Sequence, residues 1–115
     1  MVTIEHTNAV SEQDKAFLRD VKQLIQGFLP TSKVLLYGSY ARGTQDSESD
    51  YDILVLTSQR LSATEEDVIY KALFELEIAT GAAVSTMFCD RRQWDTSIVR
   101  VSPFHLEIER DAIEL

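Results

Sequence analysis

Residues 34–56 constrain this chain more than any other stretch. An apolar, partly β-branched run, Val34-Leu35-Leu36-Tyr37, reads as a buried strand. It stops at Gly38-Ser39, where a small residue lets a ligand approach the backbone closely. Ser39 is a suitable cap for a short helix, Tyr40 to about Gly43, whose first N–H groups point back at the strand end. Such a helix start attracts anions, phosphate above all, and Arg42 adds a positive charge one turn on. A polar loop, Thr44 to Ser49, leads into a second strand, Tyr51 to Thr57.

Asp50 and Asp52 open that second strand. Side chains two apart on a strand share a face, with Cα atoms ~6.6 Å apart. Two carboxylates so placed repel unless something positive lies between them. Mg²⁺ takes oxygen ligands of this kind and commonly keeps a nucleotide phosphate as another. A phosphate cradle at one strand end beside a carboxylate pair on the next suggests chemistry on a nucleoside triphosphate.

Gly38-Ser39, ten intervening residues and Asp50-Tyr51-Asp52 resemble the signature of the minimal nucleotidyltransferases, relatives of the DNA polymerase β superfamily. Ala41-Arg42-Gly43 and Ser47-Glu48-Ser49-Asp50 resemble the same family's flanking segments. The resemblance implies an α/β (α+β) nucleotidyltransferase fold: a small mixed sheet with helices packed against it. It implies Asp50 and Asp52 as catalytic, metal-holding residues, in a one- or two-metal Mg²⁺ site. Gly38, Ser39 and Arg42 would be the nucleotide-binding residues, with ATP the first-choice triphosphate. The implied reaction is transfer of NMP to a hydroxyl. Family members of this type resemble the antitoxin halves of pairs whose partner is a HEPN-domain ribonuclease, and some add AMP to a tyrosine of that toxin.

The chain departs from the family in one respect. A third carboxylate is expected on the strand after the second helix, here Ala83 to Cys89, and that strand has no acid. Ser85 stands in the expected place, and Met87 and Cys89 on its face are poor Mg²⁺ ligands. Asp46, Glu48, Glu107, Asp111 or a partner's carboxylate are the substitutes that the sequence offers. The departure leaves room for a second outcome, a protein of this fold that acts on its partner by binding alone. A small-molecule transferase ranks last, because such enzymes usually carry a further substrate domain.

At 115 residues the chain is expected to form one domain. Its net charge of −8 argues against broad nucleic-acid binding, which needs clustered Lys and Arg. No apolar run approaches the roughly 20 residues of a membrane helix. The single cysteine, Cys89, forms no internal disulfide and reads as a small buried hydrophobe in a reducing cytoplasm. His6 and His105 lack zinc-ligand spacing.

The remaining elements read as scaffold. Residues 1–10 lack periodicity and are expected to be a loose leader. A helix from Glu12 to Leu29 is capped by Ser11, carries Phe17, Val21, Leu24, Ile25 and Phe28 on one face, and ends at Pro30. A second helix spans about Thr64 to Thr80, buries Ile69, Ala72, Leu73, Leu76 and Ala79, and stops at Gly81. After the third strand come a short helix capped by Asp90 with Trp94 inward, and a last helix, Phe104 to Arg110, begun by Ser102-Pro103. Ala112 to Leu115 is expected as an edge strand, open to pairing with a second copy or another chain.

Overall fold

The computed structural model describes residues 1–115. A mixed five-stranded sheet forms its centre, in the order β1 (Val2–Thr3), β5 (Ile113–Glu114), β2 (Lys33–Tyr37), β3 (Tyr51–Thr57), β4 (Val84–Asp90). The second strand of the motif lies antiparallel to the first, with Tyr37 opposite Asp52. After the long helix α3 (Ala63–Thr80), the crossover brings β4 alongside β3 in parallel, as such a connection requires.

β3 is buried on both faces, and its alternation sorts the core into two layers. Ile53 and Val55 pack with Val34 and Leu36 beneath α1 (Glu12–Phe28) and α3, where Leu18, Val21, Ile25, Ile69 and Leu73 meet them. On the opposite face Leu54, Leu56 and Leu35 pack against Trp94, Ile108 and Ala112. Those residues belong to α4 (Arg91–Trp94), α6 (Pro103–Asp111) and the turn that follows it, with α5 (Ser97–Arg100) between the two helices. A strand buried on both sides reads as a continuous apolar run, which is what Ile53 to Leu56 supplies.

The helix ends follow side-chain chemistry. Ser11 accepts from the Asp14 N–H and starts α1. Ser62 rather than the Thr64 region starts α3, through a reciprocal capping box with Glu65. Gly81 ends α3 in the left-handed conformation expected of it. Asp90 caps α4, and Ser102 caps α6 with Pro103 in its first turn. Ala79, expected inside, is exposed; α3 buries only Ile69 and Leu73 fully because it covers the outer part of the sheet.

Three expectations are corrected at the ends of the chain. Residues 1–10 are not a loose leader: Val2 and Thr3 pair with Ile113 and Glu114, and Ile4 and Val10 are buried in the core. The C-terminal strand is not at the edge, since β1 pairs along its outer side and β2 along its inner side. The sheet accordingly has five strands rather than four, β1 being the one not expected. Cys89 is half-buried, and burial followed by the neighbouring Asp90 pushes its thiol pKa up. No helix is long and apolar enough to cross a membrane.

Candidate active site

The site is built where β2 ends and β3 begins. Antiparallel pairing sets Tyr37 beside Asp52, so the turn after Tyr37 must pass directly over the Asp52 carboxylate. Gly38 makes that turn with φ +73°. A Cβ at Gly38 would overlap Asp52 Oδ2, so only a glycine allows the backbone this close. The motif glycine and the second motif aspartate are thus one steric unit, 14 residues apart in sequence.

Helix α2 (Gly38–Arg42) follows at once, two residues earlier than expected. Tyr37 occupies its N-cap position and no side chain caps it, so Ser39 lies within the first turn instead of capping it. The turn is held by other means. The Gly43 and Thr44 N–H groups donate back to Tyr40 and Ser39 carbonyls, at 3.4 and 3.0 Å, and Gly43 takes the left-handed conformation that closes the helix.

Beneath the turn, Tyr51 separates the two aspartates and points to the opposite face. Its ring stacks on Tyr40 at 4.2 Å between centroids and packs on Phe17 at 4.9 Å. Its hydroxyl donates to Asp14 on α1. Burial first, then this carboxylate, raises the Tyr51 pKa well above the ordinary tyrosine value. The stack ties α1, α2 and β3 together behind the site, and sequence reading, occupied with the aspartates, assigned Tyr51 no role.

Asp50 is exposed and Asp52 is half-buried. The Asp52 pKa is raised by burial first, then by the charges of Asp50 and Glu107, against a smaller lowering by Arg42. Because the folded chain holds this proton more tightly than the unfolded chain, stability falls as pH rises from the ordinary aspartate value through the raised one. The ionised pair is therefore under electrostatic strain that a cation would relieve. The donors are all carboxylate oxygens and the turn above them has no Cβ, a combination that fits a hard divalent cation with an anionic ligand on it. Asp50 and Asp52 are the residues of this strand end that could hold such a cation.

Arg42 does not lie on the aspartate pair, nor does it bridge to Asp46. Its Nη1 is 3.0 Å from Glu107 Oε1 and 3.9 Å from Asp111 Oδ2, both on α6. Asp46 instead organises the loop, accepting from the Glu48 N–H at 2.8 Å. Ser85 stands opposite Asp52 in the β3–β4 register, exposed on its edge strand, in the position that parity assigned to it. Tyr37 was missed: it borders Asp52, packs edge-on against Phe104 at 5.3 Å, and has its pKa raised by burial and then by Asp52 and Glu107. A cavity of about 570 Å³ lies at the other end of the strands, lined by Lys22, Lys33, Leu56, Arg91 and Trp94 among others, and contains none of the candidate residues.

The chain is similar to several known proteins. A protein of Methanocaldococcus jannaschii, provisionally named a protein adenylyltransferase, is 28% identical over 94 residues, which is 82% of this chain and 93% of that protein. A toxin–antitoxin crystal structure with AMP-PNP shares the fold with TM-score 0.58 at 24% identity, over 84% of this chain and 69% of that one. A mutant of the MntA–HpeT toxin–antitoxin pair matches with TM-score 0.56 at 22% identity, over 85% and 70% of the two chains. The model of the nucleotidyltransferase domain family matches residues 14–101, a span that takes in the glycine turn, both aspartates and the strand bearing Ser85. This chain belongs to the nucleotidyltransferase domain family.

Proposed function

We propose that this protein transfers the AMP moiety of Mg²⁺-bound ATP to a hydroxyl group, with a tyrosine of a HEPN-type toxin as acceptor. The observation that carries the proposal is the close approach of the Gly38 turn to the Asp52 carboxylate, which puts the start of α2 directly beside the second motif aspartate. The relative named as a protein adenylyltransferase supports AMP as the group and protein as the acceptor class. Solved neighbours that are toxin–antitoxin assemblies, one of them with AMP-PNP, support a toxin as that protein.

In this mechanism Gly38 and Ser39 would present backbone N–H groups to the β- and γ-phosphates, and Asp50 and Asp52 would hold Mg²⁺. The metal, when bound, would neutralise charge on the attacking and leaving oxygens of an in-line displacement. Arg42 turns from α6 toward the leaving pyrophosphate. The O–P bond to the acceptor forms as the bond from the α-phosphate to pyrophosphate breaks, and the acceptor proton passes to a carboxylate of the site.

One observation favours a second reading. Ser85, not an acid, lies beside Asp52, which suits a protein that neutralises its partner by binding without transfer. The two separate in one experiment: the toxin and α-phosphate-labelled ATP are incubated with the wild type or with an Asp50→Asn, Asp52→Asn double variant. Transfer predicts label on the toxin, reduced by about 10³-fold or more in the variant, the scale on which electrostatic catalysis of this kind is lost. Unlabelled toxin that both proteins still neutralise would replace the first reading with the second.

A further inference from the structure

We infer that the cavity at the far end of the strands is a second binding site, which takes a phosphate-bearing anion: free pyrophosphate or the phosphate chain of a nucleotide. It is separate from the glycine turn and the aspartates, and it does not depend on the transfer reaction proposed above.

The register of the sheet fixes the separation. Tyr37 and Asp52 pair at the end of β2 and β3 that carries the candidate active site, and Lys33 and Leu56 pair at the other. The extended strand between them sets the two ends ~13 Å apart. A cavity of about 570 Å³ opens at the Lys33 end, a size within the range of small-molecule sites. Val34, Leu56 and Trp94 give it an apolar wall.

Its charge runs against that of the molecule. The chain has 11 Lys and Arg against 19 Asp and Glu. Three of those cations, Lys22, Lys33 and Arg91, line this one cavity, with Asp95 and Glu114 as its only acids. They come from α1, β2 and α4, so the tertiary fold rather than a local run of charge brings them together.

Two of the three cations are not neutralised by an acidic side chain. Lys33 is paired with Glu114 at 3.5 Å. Arg91 donates to the Thr31 carbonyl oxygen at 3.1 Å, and Lys22 donates to the main-chain oxygen of Leu115 at 3.0 Å. A guanidinium and an ammonium each carry several donors, so most of theirs remain for a ligand. Arginine meets phosphate through its fork, and lysine meets it as a point charge. The oxygens of a phosphate group radiate tetrahedrally, so one group can meet donors from several elements, where a planar carboxylate meets them in one plane.

The test follows the fluorescence of Trp94, the chain's one tryptophan and part of the cavity wall. The metal-free chain is titrated with sodium pyrophosphate, ATP or citrate. A saturable response to pyrophosphate is expected in the wild type and equally in the Asp50→Asn, Asp52→Asn variant. Lys22→Gln and Arg91→Gln are each expected to weaken it by about 10-fold or more, the scale of a lost hydrogen bond to a charged group. Arg91→Lys, which keeps the charge, is expected to recover part of that loss, as a mere folding defect would not. Arg92→Gln removes the same charge from α4 outside the cavity lining and is expected to stay within about 3-fold of wild type. ATP that follows the same pattern would assign the site to a nucleotide's phosphates; a response to pyrophosphate alone would assign it to the free anion. No saturable response, undiminished binding in Lys22→Gln and Arg91→Gln, or an equal loss in Arg92→Gln would overturn the inference. So would citrate binding as tight as that of pyrophosphate. Loss in the double aspartate variant would return the binding to the candidate active site, overturning the second site while leaving the proposed function standing.

Discussion

Gly38→Ala is expected to abolish nucleotide binding and to destabilise the fold by about 2–4 kcal/mol, read from urea denaturation. The backbone there has φ +73°, where a Cβ costs about 1–2 kcal/mol through its clash with the carbonyl. The rest comes from Asp52, whose carboxylate occupies the space the new methyl needs. Asp52 cannot yield freely, because its strand is in register with β2 on one side and β4 on the other. The turn must open instead, and it carries away the backbone that would meet the phosphates. Gly27→Ala is the matched control. Gly27 lies in α1 with open space around its would-be Cβ, so the same substitution is expected to stabilise by about 0.5–1 kcal/mol. A destabilised Gly38→Ala protein that still binds Mg²⁺-ATP would separate the turn from the site.

Leu54→Ala is expected to cost about 3 kcal/mol, within the range for emptying a fully buried leucine position. Leu54 is completely inaccessible and lies where Leu35, Trp94 and Ile108 converge. The cavity would open between the sheet and α6, on the side away from α1 and α3. Its functional consequence follows from that position. α6 carries Glu107 and Asp111, the two carboxylates that hold Arg42. Loosening α6 is expected to broaden the amide signals of Phe104–Asp111 in NMR spectra while those of α1 remain sharp. A loss below about 1 kcal/mol would show that this second layer contributes little to the fold.

What was legible in the sequence was local. The strand, the Gly-Ser turn, the short helix and the Asp-x-Asp strand are contiguous, and each is announced by its own residues. Parity along Val84–Asp90 was enough to put Ser85 beside Asp52, because a strand keeps a period of two. The caps at Ser11, Asp90 and Ser102 were readable for the same reason. Ser62-Ala63-Thr64-Glu65 also carries the capping-box pattern, and the start of α3 could have been taken from it.

Long-range pairing was not legible. β1 and β5 have two residues each, too few for any periodicity, and they exist because Val2 meets Ile113 across the length of the chain. Arg42 has plausible acidic neighbours in its own loop, yet its partners Glu107 and Asp111 lie more than 60 residues on, brought there by the apolar seat of α6. The contact between Gly38 and Asp52 was legible only as spacing; antiparallel register turns the spacing into contact.

The central claim is that Gly38, Ser39, Asp50 and Asp52 form a metal-dependent nucleotide site. Calorimetric titration of ATP, with and without Mg²⁺, into the wild type and the Asp50→Asn, Asp52→Asn variant tests it most directly. Binding by the wild type is expected to require Mg²⁺ and to be lost in the variant. Binding that is indifferent to Mg²⁺ and to both aspartates would contradict it.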